Sequence, residues 1–151
     1  MACNIKDEVE IRLAQLSDLN AVIGIGDELF DFPIKIERAK EFFNDPRHHL
    51  VIACHDEKIV GIASAFDYVH PDKDSTLFIN EVSVLEQYQN KGIGRAMTKY
   101  LLSHGKKMGC QDFWVATEHS NVAARKAYIS AGGIEDSEPV VLITFSKENI
   151  A

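Results

Sequence analysis

The sequence has few cysteines and no pattern that would use them together. Cys3, Cys54 and Cys110 are odd in number and far apart, and neither a Cys-x-x-Cys pair nor an Asn-x-Ser/Thr acceptor occurs. This excludes a disulfide framework and a zinc ribbon, and Cys54 lies in an apolar run that favours a buried small side chain. The cysteine pattern is typical of a protein in reducing cytosol.

Long apolar runs and a basic excess are also missing. The longest nearly apolar stretch, residues 59–66, is far shorter than the roughly 20 residues that cross a bilayer, and the N-terminal residues lack the apolar core of a signal peptide. With 16 Lys+Arg against 23 Asp+Glu, the formal net charge of −7 argues against nucleic acid as a partner. We therefore expect a cytoplasmic protein with neither membrane nor nucleic acid as a partner.

The composition is that of a globular protein with an uneven charge distribution. The 151 residues, 46% hydrophobic and 26% charged, suffice for one domain over residues 1–151 with a buried core. Residues 1–75 carry 15 acidic and 8 basic side chains, whereas residues 76–151 carry 8 of each, so all of the excess acid lies in the first half. A solvated acidic surface and a surface that binds a cation both fit this distribution.

Hydrophobic periodicity and turn residues predict a mixed α/β domain with the order β-α-α-β-β-β-α-β-α-β. The predicted strands are residues 9–13, 50–54, 59–66, 76–85, 113–116 and 140–145. The predicted helices begin near Ser17, Pro33, Gly94 and Asn121, with Ser17 and Asn121 as N-caps. Within residues 76–85 the apolar positions change phase around Asn80 and Glu81, which predicts a β-bulge.

The strongest local signal is the Gln-Asn-Lys-Gly-Ile-Gly sequence of residues 89–94 between a strand and a helix. Two glycines allow a tight turn and expose backbone N–H groups at the positive end of the helix, which favours a phosphate or pyrophosphate. Lys91 and Arg95 add positive charge. A plain glycine-rich turn fits these residues equally well, whereas a dinucleotide fingerprint and a Walker loop do not.

Three motifs, in this order, resemble those of the GCN5-related N-acetyltransferases, the GNAT family. They are Asn-Glu-Val-Ser-Val at residues 80–84, Gln-Asn-Lys-Gly-Ile-Gly-Arg-Ala at residues 89–96, and Asn-x-x-Ala-x-x-Ala-Tyr-x-x-x-Gly at residues 121–132. The resemblance extends over nearly the whole chain. It implies the GNAT fold, a mixed and mostly antiparallel twisted sheet flanked by about four helices, with acetyl-CoA as the co-substrate.

The resemblance also implies which residues contact CoA. The loop would hold the pyrophosphate through Gln89, Asn90, Lys91, Gly92, Ile93, Gly94 and Arg95. The backbone of Val82, Ser83 and Val84 would pair with the pantetheine arm and polarise the thioester carbonyl, where a single N–H donor stabilises an oxyanion by about 3–4 kcal/mol. Asn121 would contact CoA as well as cap its helix. Ordinary ladder pairing is the alternative for Val82–Val84.

Two side chains match the family's catalytic positions. Tyr128 stands at the position of the general acid that protonates the departing thiolate, whereas its helical spacing with Ala124 and Ala131 also fits a core tyrosine. Glu81 begins the bulged segment, where several family members carry an acidic base. Glu118 is a second candidate base, and a surface carboxylate is the alternative for both.

The acceptor is predicted from charge. In this family the first two helices form the acceptor wall, and that region here carries Asp27, Glu28 and Asp31, which would attract amines such as aminoglycosides, polyamines or lysine side chains. Residues 117–133 and 142–145 are similar to aminoglycoside 3-N-acetyltransferases of the small type I group, which implies a role in antibiotic resistance. A homodimer is compatible with this resemblance, although residues 133–139 are short for a full final hairpin.

The functional prediction is therefore an acetyl-CoA-dependent N-acetyltransferase that acts on a small cationic amine by direct attack in a ternary complex. A protein lysine or N-terminal acetyltransferase and a non-catalytic acyl-CoA-binding module are the alternatives. No metal is expected, because the histidines lack ligand spacing. The Asp-x-Asp-x-Thr sequence of residues 72–76 also lacks the glycine and glutamate of a calcium loop.

Overall fold

A computed structural model describes residues 8–151, so Cys3 lies outside the described residues. The strands are β1 (Glu10–Leu13), β2 (His48–His55), β3 (Lys58–Tyr68), β4 (Thr76–Val84) and β5 (Asp112–Val115), and the helices are α1 (Leu19–Ile25), α2 (Ile36–Asn44), α3 (Ile93–Lys107) and α4 (Val122–Ser130). The sheet order is β1-β2-β3-β4-β5; only the β4–β5 pair is parallel. The predicted mixed, mostly antiparallel sheet with four helices is confirmed.

No helix within residues 8–151 has the length and apolar character needed to cross a membrane.

The sheet is covered on both faces. On one face, Gly61 of β3 lies against α3: a Cβ at Gly61 would come within 3.0 Å of Cε of Met97. On the other face, Ser64 of β3 lines the same cavity as Val22 of α1. Because both faces are covered, the central strands β2 and β3 are almost continuously buried. The fully buried core side chains are Val51, Ile52, Val60, Ile62, Leu77, Met97 and Leu101.

Helix α3 approaches the sheet most closely at Gly105. A Cβ at this position would lie 2.8 Å from Cε1 of Phe113 and 2.9 Å from Cδ2 of Leu77. We therefore expect Gly105→Ala to lower the free energy of unfolding by ~1–3 kcal/mol through overpacking, as measured by urea denaturation. Gly24→Ala is the matched control, since a Cβ there meets nothing within 4 Å and alanine favours the helix. Equal stability of the two variants would contradict this packing.

A buried polar network also joins α3 to the sheet. Nε2 of His49 lies 2.7 Å from a carboxylate oxygen of Asp67, and Nδ1 of His49 lies 3.2 Å from Nε2 of His104. His49 is 7% exposed, so the two neighbours supply the hydrogen bonds that burial takes away from water. Burial, followed by the charge of His49, lowers the pKa of His104.

The predicted bulge in β4 is present. Ser64 pairs with Glu81 and Ala65 pairs with Ile79, which leaves Asn80 as the extra residue. The extra residue turns the next part of β4 by one position, so Glu81 and Ser83 point to the face of α1 and α2. The side chains of Val82 and Val84 instead lie next to Gly94 of α3.

Two predicted helix boundaries differ from the structure. The helix expected to begin near Ser17 starts at Leu19 and ends at Ile25, because Gly26 adopts φ +59° and a short 3-10 turn follows. The cap is not Ser17; Asp18 precedes α1 and binds Arg12 of β1 through two 2.8 Å hydrogen bonds. The helix expected to start at Pro33 begins at Ile36.

The predicted final strand is wrong. Residues 140–145 have strand-forming side chains but form no strand, so the observed order ends β-α and lacks the last β of the predicted order. Residues 132–151 are all exposed. A strand requires a hydrogen-bonded neighbour, and within residues 8–151 this segment pairs with none.

Candidate active site

A cleft opens where β4 and β5 separate. The two strands pair only from Thr76–Asp112 to Ile79–Val115, although β4 continues to Val84. Beyond the bulge, β4 therefore has a neighbour on one side, β3, and faces the cleft on the other. Backbone groups on that side are available to a ligand.

Successive residues of β4 direct their backbone N–H and C=O groups alternately toward β3 and toward the cleft. The N–H of Leu85 donates to the carbonyl oxygen of Val60 at 2.9 Å, and in an antiparallel ladder every second residue repeats this direction. Ser83 thus directs its backbone to β3, whereas Val82 and Val84 direct theirs to the cleft. The amide of Gln89 donates to the carbonyl oxygen of Val84 at 2.9 Å, in agreement with this assignment.

The loop before α3 has the geometry of an anion site. Asn90 and Gly92 adopt positive φ values of +58° and +80°, and the N–H of Ala96 donates to the carbonyl oxygen of Gly92 as the first helical hydrogen bond. The N–H groups of residues 93–95 therefore have no partner within the helix and point out of its positive end. The ammonium of Lys91 lies 5.3 Å from the centre of the Tyr88 ring, at the same end.

Replacing Gly92 should weaken binding of a phosphate-bearing ligand. Its left-handed backbone costs alanine ~1–2 kcal/mol, so Gly92→Ala is expected to shift the loop and raise KM for acetyl-CoA roughly tenfold. Initial rates at varied acetyl-CoA concentration measure this. Gly109→Ala is the matched control, because Gly109 has φ +97° but lies beyond the other end of α3. A similar rise in KM for both variants would indicate loss of stability rather than loss of the anion site.

All six predicted catalytic and acceptor residues line one cavity of about 540 Å³ in this cleft. Its walls come from the segment after α1, the bulged part of β4, the loop after β5 and helix α4. The predicted residues that line it are Glu81, Tyr128, Asp27, Glu28, Asp31, Glu118, Asn121, Val82 and Ser83. Val84 and the loop residues 89–95 do not line this cavity. Val84 is the last residue of β4, and residues 89–95 form the loop before α3 and its first turn.

Glu81 lines this cavity and is only partly exposed to solvent. Burial raises the pKa of its carboxyl above the ordinary value, and the negative charge of Asp31 raises it further. A carboxylate with a raised pKa is a stronger proton acceptor than an exposed one. Glu81 can therefore act as a base toward a cationic group in the same cavity.

Tyr128 lies on α4 and lines the same cavity as the bulge residues Asn80 and Glu81. Burial raises the pKa of its phenol, so the hydroxyl stays protonated and can donate. Asn121 caps this helix as predicted, because its side-chain oxygen accepts from the N–H of Ala124 at 3.1 Å. The amide nitrogen of Asn121 remains a donor at the cavity wall.

A second cavity of about 420 Å³ adjoins the first and was not predicted. The two cavities share Phe30, Asp31, Asn80 and Glu81. Beyond these residues the second cavity is mainly apolar, with Phe32, Phe42, Phe43 and Leu50 in its walls and Arg38 beside them. The concentration of aromatic residues between positions 30 and 43 is the available sequence signal, but aromatic residues in a helix core give the same pattern.

Comparison with known proteins places the chain in a family. Residues 19–132, more than half of the chain, match the model of the acetyltransferase (GNAT) family, and the protein belongs to this family. It is 29% identical over 91 residues to the L-2,4-diaminobutyric acid acetyltransferase of Virgibacillus pantothenticus. That match covers 60% of this chain but only 56% of the relative, so the chain corresponds to about half the length of this curated protein.

Solved structures share the fold at low sequence identity. An aminoglycoside acetyltransferase from an uncultured soil metagenomic sample, in complex with sisomicin, is 18% identical with a TM-score of 0.82 and matches 95% of this chain and 100% of its own. The aminoglycoside N-acetyltransferase AAC(6')-Iy in complex with CoA is 20% identical with a TM-score of 0.76, over 91% of this chain and 95% of its own. A transcriptional regulator from Bacillus halodurans is 22% identical with a TM-score of 0.73, over 91% of this chain and 100% of its own.

Proposed function

We propose that the protein transfers the acetyl group of acetyl-CoA to a primary amine by direct attack in a ternary complex. The observation that carries this proposal is the convergence of Glu81 and Tyr128 on one cavity where β4 and β5 separate. The backbone of Val82 faces the same cavity, and the anion site of residues 89–95 follows along the cleft. A thioester with a phosphate-bearing tail fits this order along the cleft, with the catalytic groups first and the anion site after them.

Each residue then has one task in the reaction. Glu81 accepts a proton from the ammonium of the acceptor, directly or through one water, so that the free amine attacks the thioester carbonyl carbon. The N–H of Val82 donates to the oxygen that becomes negative as the C–N bond forms. When the C–S bond breaks, Tyr128 gives its proton to the leaving thiolate, and the nitrogen releases its extra proton to water to give the amide. Tyr128 then recovers a proton from solvent, and Glu81 loses the one it accepted.

The ligand's phosphates would lie at the start of α3. The unpaired N–H groups of residues 93–95 donate to the pyrophosphate, and Lys91 and Arg95 add positive charge. The amide of Asn121 donates to the CoA moiety from the opposite wall. Val82 and Val84 pair with the pantetheine arm as a further strand would.

The acidic cavity supports a small cationic acceptor. Asp27, Glu28, Asp31 and Glu118 place four carboxylates around Glu81, and their combined field attracts a protonated amine to the base. An aminoglycoside-type polycation is the first candidate, with a resulting role in antibiotic resistance. Two of the structures that share the fold are aminoglycoside acetyltransferases.

The apolar cavity favours a second candidate, an amine with an apolar body. Its amino group would lie between Asp31 and Glu81, where the two cavities meet, and its apolar part would contact Phe42 and Phe43. A polyhydroxylated sugar would leave these aromatic side chains poorly covered. The two candidates differ in how far the acceptor reaches toward α2.

A two-stage experiment tests the function. Acetyl-CoA at 100 times its dissociation constant should stabilise the fold by about 2.7 kcal/mol, and absence of a thermal shift at saturation would overturn the proposal. CoA release is then measured with aminoglycosides, polyamines, 2,4-diaminobutyrate, arylalkylamines and lysine peptides. Turnover of peptides alone would indicate a protein acetyltransferase, and binding without any turnover an acyl-CoA-binding module.

A further inference from the structure

The anion site of residues 89–95 is preceded by a short turn. Residues Glu86–Tyr88 form one 3-10 turn between β4 and the loop, and the N–H of Tyr88 donates to the carbonyl oxygen of Leu85 at 2.8 Å. Tyr88 is the last residue of this turn, and its side chain packs against the hydrophobic core. The side chain of Tyr88 therefore anchors the point from which the loop begins.

The hydroxyl of Tyr88 contacts His55, which is the last residue of β2 and lies 33 positions away in the chain. The hydroxyl oxygen is 2.9 Å from Nδ1 of His55, and the two ring centres are 5.5 Å apart with an interplanar angle of 63°. Both side chains are partly buried, so water competes less for this hydrogen bond than at an open surface. The contact joins the turn before the loop to the central sheet.

The hairpin between β2 and β3 fixes the position of His55. His55 pairs with Lys58 of β3, and the two residues between them, Asp56 and Glu57, adopt φ values of +48° and +61°. Two successive residues with positive φ form the tight connection that matches the twist of the two strands. The imidazole of His55 is thus held by the sheet, independently of the loop that it reaches through Tyr88.

The ring of Tyr88 also contacts a cation of the anion site. The ammonium of Lys91 lies 5.3 Å from the centre of this ring, where the negative face of the ring attracts it. An exposed lysine side chain otherwise samples many rotamers, and a ligand that binds it must restrict them. A cation that is already held in place binds its ligand at a lower entropic cost.

We propose that His55 is a positioning residue for the phosphate-bearing part of the acyl donor. It acts through Tyr88, whose ring it holds, and so fixes both the start of residues 89–95 and the ammonium of Lys91. Neither His55 nor Tyr88 lines the cavity of about 540 Å³ that contains the candidate catalytic groups. The contact should therefore affect binding of the donor and leave the chemical step unchanged. This inference rests on the proposed use of acetyl-CoA.

Substitutions at the two ends of the hydrogen bond test the proposal. Tyr88→Phe keeps the ring beside Lys91 and removes the hydroxyl, whereas His55→Leu removes the imidazole nitrogen. Each should raise KM for acetyl-CoA about three- to tenfold, the effect of one lost hydrogen bond, while kcat stays within about twofold of the native value. The double variant should have the same KM as the single variants, because all three lack the same contact.

A conservative variant and a matched control accompany these measurements. His55→Asn places an amide near the position of Nδ1, and since an amide can donate or accept, this variant should bring KM close to the native value. Tyr68→Phe is the control, because the hydroxyl of Tyr68 accepts a hydrogen bond of 3.0 Å from Nε1 of Trp114, away from the loop. Its KM for acetyl-CoA should not change.

A shortened donor separates positioning from a general loss of structure. S-acetylpantetheine has the thioester and the pantetheine arm but no pyrophosphate, so its kcat/KM should be the same in the native protein, Tyr88→Phe and His55→Leu. An equal loss of kcat/KM for both donors would overturn the proposal, because the contact would then stabilise the fold as a whole. A native KM for acetyl-CoA in His55→Leu, or no recovery in His55→Asn, would overturn it while the proposed function stands. If the native protein releases no CoA with any amine, the proposed function fails and this inference fails with it.

Discussion

Replacing Tyr128 by phenylalanine is expected to lower kcat by about 10²-fold or more, with KM for acetyl-CoA changed by less than a few fold, because a general acid contributes about 10²–10⁴. Phenylalanine keeps the ring in the wall of the cavity and removes only the hydroxyl proton. Burial raises the pKa of this phenol, so in the native protein the donor stays protonated over the whole assay range. The loss should therefore be almost independent of pH.

The control for this variant is Tyr100→Phe. Tyr100 lies on α3, is 36% exposed and does not line the cavity, so its hydroxyl should not affect turnover. Initial rates at saturating acceptor and varied acetyl-CoA, followed from acid to alkaline pH, separate kcat from KM. A Tyr128→Phe enzyme with nearly native kcat throughout would remove the proton-donor assignment, and water would then have to protonate the thiolate.

Local sequence patterns predicted those parts of the fold that local interactions determine. The apolar face of α3 follows a regular helical spacing, and the side-chain oxygen of Asn121 caps α4 as its position suggested. The bulge at Asn80 was predicted because an inserted residue reverses the alternation along β4. Each of these features depends on residues that are close in the chain.

The errors arose where the partner was distant in sequence. Residues 140–145 have the composition of a strand, but composition does not say which edge a strand pairs with. The sequence does not show the network that runs from Asp67 through His49 to His104, since it depends on how α3 packs on β2 and β3. The apolar cavity went unpredicted for the same reason: its walls come from α2, the segment before it and three strands of the sheet.

The sequence predicted which residues form the candidate site, but not how they are arranged. Motif resemblance selected Glu81 and Tyr128, and both line one cavity because β4 and β5 diverge after Ile79. The acidic residues of the first half of the chain were predicted from charge, and Asp27, Glu28 and Asp31 line the same cavity as Glu81. The motif does not show, by contrast, which backbone groups face the cleft. The direction of the hydrogen bonds between β3 and β4 shows that those of Val82 and Val84 do, whereas those of Ser83 face β3.

Replacing Glu81 by glutamine should change the form of the pH dependence as well as the rate. In the native enzyme the deprotonated carboxylate is the active form, so kcat/KM should fall as the pH falls through the raised pKa of Glu81 and level off above it. Glutamine cannot accept the proton, and the amine must then arrive already deprotonated. The rate of Glu81→Gln should therefore be lower by about 10²-fold near neutral pH and rise tenfold per pH unit up to the pKa of the acceptor.

Asp31→Asn provides the companion measurement, because the charge of Asp31 is the second cause of the raised pKa. Its removal lowers the pKa of Glu81, so the acid limb of kcat/KM should move to lower pH, and KM for a cationic acceptor should rise. Glu86→Gln, an exposed carboxylate in the turn after β4, should leave the profile unchanged. If Glu81→Gln keeps the native pH dependence of kcat/KM, Glu81 is not the base and Glu118 becomes the candidate. If Asp31→Asn moves the acid limb of kcat/KM to higher pH, the charge of Asp31 does not raise the pKa of Glu81.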